Sequence, residues 1–158
     1  MFQGKPVIDV HGHMSTPPQF RAFAYNLIAL RTPGEELVLT EQQMKTPIDR
    51  HLRMLDSHKI DVQLISPRPV AMMHWERPML VQAWTESTNN IIAQQCDLWG
   101  DRFVGVAQLP QNSELDSANC VAELERCAAL GFVGATVNPD PAGRVFHPEA
   151  RRAAGREK

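Results

Sequence analysis

Val7-Ile8-Asp9-Val10-His11-Gly12-His13 is the stretch on which the reading of this chain turns. Val7 to His11 is a short β-rich run bounded by Pro6 and Gly12, which suits a buried strand. Side chains alternate across a strand, so His11 and His13 point the same way, and Asp9 lies one register earlier on that side. Two imidazoles so placed can meet one cation, and a nearby carboxylate can fix the ring orientation. Gly12 between them removes a side chain and lets the backbone turn. Two histidines at a strand end are otherwise ordinary polar loop residues, so the elements that follow decide between the readings.

Those elements alternate. After Ser15-Thr16-Pro17, with Thr16 as cap and Pro17 at the first helical position, Phe20, Phe23, Ala24, Leu27 and Arg31 recur at helical spacing until Thr32-Pro33-Gly34. Glu35 to Lys45 reads as an irregular excursion. Thr46-Pro47-Ile48-Asp49 repeats the cap, proline and acidic first turn of a helix start, and Ile48, Leu52 and Leu55 mark the face of a second helix reaching about Lys59. Val62 to Ser66 is the second strand, closed by Pro67-Arg68-Pro69 because proline cannot donate to a sheet ladder. Leu80, Trp84, Ser87, Ile91, Gln95 and Leu98 trace a long helix over 79–99, with Gly100 at the left-handed cap position. Phe103 to Leu109 is the third strand. Ser113 and Asp116 resemble a capping box before a helix with Leu115, Ala118, Ala122, Leu124 and Ala128 on its face, ended by Gly131. Phe132 to Asn138 is the fourth strand, and Asn138-Pro139-Asp140-Pro141 a rigid turn at its carboxyl end. Near-continuous apolar strands alternating with helices indicate an α/β fold with a parallel sheet covered by helices.

Composition bounds the function. The 158 residues suffice for one domain, yet a whole (β/α)₈ barrel takes about 250. Net charge is −2 with scattered Lys and Arg, which excludes the basic footprint of a nucleic-acid binder and leaves room for a small anionic ligand held locally. The start has no apolar signal region and no run approaches the ~20 residues of a membrane span, so a cytoplasmic location follows by default. Cys96, Cys120 and Cys127 show no C-x-x-C spacing and read as reduced packing residues rather than a thiolate metal site.

The strand ends supply further candidates. Arg68 follows the second strand, where a guanidinium can grip a carboxylate through two parallel hydrogen bonds, and the alternative is a surface arginine on a stiff turn. Asn138 and Asp140 follow the fourth strand, and Asn138 is preferred as a substrate contact. His51 and His58 read as solvated helix residues, and His74 with Met72, Met73 and Trp75 as a loop that covers or walls a pocket. His147 has no interpretable context. No G-x-S-x-G, G-x-x-x-x-G-K-[ST] or G-x-G-x-x-G occurs, which removes the usual signals of a serine hydrolase, a P-loop and a dinucleotide site.

Taken together, Ile8-Asp9-Val10-His11-Gly12-His13, Gln63-Leu64-Ile65-Ser66-Pro67-Arg68-Pro69, Leu109-Pro110-Gln111 and Asn138-Pro139-Asp140-Pro141 resemble one family. It is the amidohydrolase-related group containing aminocarboxymuconate semialdehyde decarboxylase, and within it the branch of 4-oxalomesaconate hydratases and meta-cleavage-product hydrolases. The resemblance covers about residues 6 to 143. It implies the amino-terminal half of a (β/α)₈ barrel, with one divalent metal, usually zinc, that activates water or polarises a carbonyl. His11 and His13 match the family's first pair of metal ligands, and Arg68 and Asn138 positions holding substrate carboxylates; Asp9 keeps the ring-orienting role that its place on the strand suggests. The remaining metal ligands and the acid–base residues of that family belong to later strands, so no catalytic residue is assigned in this half.

The implied reaction is hydration or carbon–carbon hydrolysis of an unsaturated ring-cleavage dicarboxylic acid. The alternatives are non-oxidative decarboxylation of aromatic or muconate-type acids, and a non-catalytic half-barrel that self-associates. A histidinol-phosphatase-like phosphoesterase ranks behind these, since the S-P-R-P and N-P-D-P turns do not belong to its pattern. Residues 144–158 lack the apolar run of a fifth strand and read as a truncation or frame-shift product, with a short helix as the alternative. Four parallel strands leave an open edge and bare inner faces, so a homo-oligomer or a separate second half is the expected partner.

Overall fold

The computed structural model of the chain describes residues 1–68, 72–112, 114, 115 and 118–139. Four strands, β1 (Ile8–His13), β2 (Val62–Ser66), β3 (Phe103–Gln108) and β4 (Gly134–Thr136), lie in chain order in one sheet, each parallel to its neighbour. Parallel neighbours need crossovers. Helices α1 (Pro18–Leu30) and α2 (Glu41–Ser57) lie between β1 and β2, α3 (Pro78–Leu98) between β2 and β3, and α4 (Asn119–Ala129) between β3 and β4. The parallel order is the one the strand pattern predicted, and it is that of the amino-terminal half of a (β/α)₈ barrel, as the family resemblance implied.

The helix side of the sheet holds the core. On β2, Gln63 and Ile65 are buried while Val62, Leu64 and Ser66 are half-buried on the other face, and Phe103, Gly105, Ala107 and Gln108 are the buried residues of β3. Phe20 and Leu27 of α1, Met44, Ile48 and Leu55 of α2, and Leu80, Trp84, Ile91 and Ile92 of α3 pack onto that side. Burying such a side chain is worth about 1.5–3 kcal/mol. The barrel-facing side is bare by comparison: Ile8 is 52% and Val10 73% exposed. One buried polar cluster links α3, β3 and α4. Asn89 of α3 accepts from the Gln108 main-chain N–H at 2.8 Å and donates to the Gln108 carbonyl at 2.9 Å and to Glu123 of α4 at 2.7 Å.

Several boundaries differ from the sequence reading. The helix placed at Thr46 starts at Glu41, because Thr40 and Gln43 form a full capping box; Pro47 falls inside α2, and Met44 extends its buried face one turn earlier. Only the first part of the supposed excursion at 35–45 is irregular. Thr16 does not cap α1: Pro17 occupies that position and Pro18 opens the helix, which ends at Leu30 with Arg31 left-handed at φ 54°. Gly100 is not left-handed; Trp99 ends α3 by donating its N–H to the Gln95 carbonyl. On α4 the buried residues are Cys120, Glu123 and Cys127, while Leu115, Ala122, Leu124 and Ala128 are exposed, so the face was read about one register off. Counting Cys as apolar and allowing a paired Glu inward would have found it. Gly131 does end that helix at φ +86°. The fourth strand is shorter than expected, and the Ser113–Asp116 cap, Asp140, His147 and residues 144–158 lie outside the described residues.

All three cysteines are free thiols, with burial raising Cys96 to about 11 and Cys127 to about 12. Inert packing residues behave so. Among the described residues no helix is long and apolar enough to cross a membrane.

Candidate metal and carboxylate site

A break in register builds the site. Ile8 and Asp9 pair with Val62 and Gln63, but Gly12 and His13 pair with Ile65 and Ser66, so β1 carries one extra residue between Asp9 and Gly12. Such a bulge reverses the alternation across it. Asp9 and Gly12 therefore sit over the buried side of β2, and Val10, His11 and His13 are left on the barrel side. Asp9 is thus not beneath the imidazoles, as simple alternation predicted. Its carboxylate accepts from Gln63 Nε2 at 2.6 Å and from the His11 main-chain N–H at 3.0 Å, so it holds the bulge rather than a ring. These hydrogen bonds, the Gln63 amide first, hold the Asp9 carboxyl below the usual aspartate range.

Gly12 earns its place by close approach and not by a left-handed turn. A Cβ there would come within 2.6 Å of Gln63 Cγ and closer still to the amide beyond it. Gln63 cannot readily move aside, since its Oε1 accepts from His51 Nε2 at 2.7 Å. The acceptor role of Oε1 fixes the His51 tautomer with the proton on Nε2. His51 Nδ1 then accepts from the Ser15 hydroxyl at 2.9 Å. Ser15 is anchored in turn to Gln95 of α3, through its N–H at 3.1 Å and its carbonyl at 2.8 Å. His51 was expected to be solvated, and instead it is half-buried in the chain that ties α2 to β1; no local sequence signal marks this, because its partners are 12 and 36 residues away. Burial lowers its pKa, Gln63 and Asp9 oppose that, and Arg68 reinforces it. His58 is exposed as expected, and His74 is half-buried edge-on to Trp75 over buried Met72 and Met73.

The His11 and His13 rings stand edge to face, centroids 5.3 Å apart at 77°. Two imidazoles bound to one cation through nitrogens about 2.0–2.1 Å away at a tetrahedral angle have centroids roughly 5.3 Å apart, so the pair fits a shared metal. His13 Nδ1 lies 3.1 Å from the Pro67 carbonyl, which can only accept. The proton is therefore on Nδ1 and the Nε2 lone pair is free, the arrangement a metal-ligating histidine requires. Among the described residues no group of three or more His, Cys, Asp or Glu could hold a metal.

Arg68 is exposed and lines, with His13, His51 and Gln63, an open concavity of about 920 Å³. Asn138 is elsewhere. Its main-chain N–H donates to Gln111 Oε1 at 2.6 Å and its carbonyl accepts from Gln111 Nε2 at 3.1 Å, a clasp at the end of β4, and it does not line that concavity.

The chain is 34% identical over 153 residues to a 2-keto-4-carboxy-3-hexenedioate hydratase of Sphingobium sp. (strain NBRC 103272 / SYK-6), covering 90% of this chain and 44% of the hydratase. It superposes with TM-score 0.78 on a 4-oxalomesaconate hydratase from Rhodopseudomonas palustris, at 28% identity, over 90% of this chain and 44% of that one. A dihydroxybenzoic acid decarboxylase from Polaromonas sp. JS666, with bound manganese and 2-nitroresorcinol, matches with TM-score 0.58 at 28% identity over 85% and 38%. The chain thus spans less than half the length of these relatives. The amidohydrolase family profile matches residues 8–156, and the chain belongs to that family.

Proposed function

We propose that the chain supplies the first metal ligands and the first carboxylate contact of a metal-dependent amidohydrolase-family lyase or hydrolase, one acting on an unsaturated polycarboxylic acid of the ring-cleavage type. The observation that carries this is the His11–His13 pair, with its ring spacing and the His13 Nδ1 proton held by Pro67. When bound, a divalent cation, zinc or manganese, supplies Lewis acidity toward a substrate oxygen or water. The chain's own part is to hold that cation with His11 and His13, to keep their backbone rigid through Asp9, Gln63 and His51, and to take a substrate carboxylate on Arg68. Asn138 is assigned to a second substrate contact on the strength of its strand-end position. Residues 1–143 form the barrel part, and the exposed Ile8 and Val10 are to be covered by further strands or by a second copy of the chain.

Hydration is favoured over decarboxylation because the match to the hydratases is longer and superposes more closely. The test is to measure divalent-metal binding calorimetrically, and to follow absorbance of 2-keto-4-carboxy-3-hexenedioate with the metal-loaded chain alone and mixed with candidate partner segments. Metal binding lost in His11→Ala and His13→Ala, with substrate consumption wherever a complete barrel forms, supports the reading. Carbon dioxide release from a dihydroxybenzoate instead moves the chain to the decarboxylases.

A further inference from the structure

Among the described residues lining the large concavity beside His13 there are two arginines, Arg50 and Arg68, two histidines, four glutamines and no Asp or Glu. Arg68 comes from the end of β2 and Arg50 from α2, so the guanidiniums reach the cavity from two elements. Neither is ion-paired: the salt bridges of the described residues use Lys45, Arg102, Arg126 and the amino terminus. Each guanidinium can take a carboxylate through two parallel hydrogen bonds, and no acidic side chain among the described lining residues competes for either. His51 lines the same wall, and burial lowers its pKa from the ordinary histidine value.

We infer that Arg50 is a second carboxylate anchor, and that the concavity selects a small dianion whose two carboxylates are taken separately by Arg68 and Arg50. This rests on the assignment of Arg68 to a carboxylate, and it adds a specificity residue on α2 that takes the second carboxylate. A monocarboxylate pairs with one guanidinium and leaves the other without an anion, whereas a dicarboxylate compensates both.

The test is a matched pair of probes with one carbon skeleton, muconate with two carboxylates and hexa-2,4-dienoate with one, titrated into the full chain by calorimetry. Muconate is expected to bind at least about tenfold more tightly. Arg50→Gln should abolish that preference while leaving the affinity for hexa-2,4-dienoate unchanged, and Arg68→Gln should weaken both. Arg53→Gln is the control, an exposed arginine of the same helix outside the concavity, and it should change neither. Arg50→Lys keeps the charge without the bidentate fork and should retain part of the preference. Equal binding of the two probes overturns the inference, as does an Arg50→Gln protein that still prefers muconate. So does an Arg53→Gln effect as large as that of Arg50→Gln, because the preference would then reflect general surface charge. Zinc affinity measured on Arg50→Gln should equal that of the parent, so the dianion preference can fail with the metal site intact, or survive its loss.

Discussion

Gln63 Nε2 donates to Asp9 Oδ2 at 2.6 Å, and these two residues are also partners in the β1–β2 register. The amide therefore fastens the strand that carries both imidazoles at the last point before its bulge. Its other end is held by His51, so α2, β2 and β1 are joined through one side chain.

Replacing Gln63 by Leu removes the donor to Asp9 and the acceptor for His51 together. The loss should cost about 1–3 kcal/mol, since two half-buried polar groups lose partners. Metal affinity should fall by about 10–100-fold, the usual penalty for losing the residues that orient ligands. Urea unfolding read beside metal titration separates the two effects. An unchanged metal affinity with lowered stability would reduce the strap to a packing role.

Gly12→Ala places a methyl group against the Gln63 side chain. Because that side chain is bonded at both ends, the expected cost is about 1–3 kcal/mol from overpacking, visible as a lowered denaturation midpoint. A paired change to Gly12→Ala with Gln63→Ala should recover part of it if the clash is the cause.

His51 has a pKa below the ordinary histidine value, chiefly through burial. A group whose native pKa is lowered binds protons more readily when unfolded, so stability is level above about pH 6.5 and declines as pH falls from there toward the native value. Denaturant midpoints between pH 8 and 5 should show that decline, and His51→Gln should flatten it. A decline that persists unaltered in the variant would assign it to other groups.

Glu123 is 2% exposed. Burial alone would raise its pKa, and the Arg126 and Asn89 hydrogen bonds outweigh it to leave the pKa lowered. Its stabilisation is present above the ordinary glutamate value and is lost as pH falls through the lower native one. Glu123→Leu should destabilise by about 2 kcal/mol, because Asn89 and the partly exposed Arg126 lose their acceptor, and the acid-side loss should shrink with it.

The strands and their order were legible because a parallel sheet buried on one side writes itself as short apolar runs between helical periods. Val62–Ser66 matches to the residue. What local pattern could not show were features created by contact between distant segments. The extra residue in β1 is invisible without β2 as a ruler, so Asp9 was placed on the wrong side. His51 looked solvated because nothing near it in sequence identifies Gln63 and Ser15 as partners. Pro47 misled for a different reason: proline after threonine is a common helix start, yet the box of Thr40 and Gln43 had already begun the helix. The strand-end rule that picks out His11, His13 and Arg68 also picks out Asn138, but it could not show that the Asn138 main chain is held by Gln111, a partner 27 residues away.

The most direct test of the account is a zinc titration of the ¹⁵N-labelled chain followed by long-range imidazole ¹H–¹⁵N correlation. The prediction is that Nε2 of His11 and of His13 shift together and saturate at one equivalent, with His13 keeping its proton on Nδ1 and His51 on Nε2. Independent shifts of the two rings at different zinc levels, or a response at His58 or His74 with His11 and His13 unmoved, would contradict it.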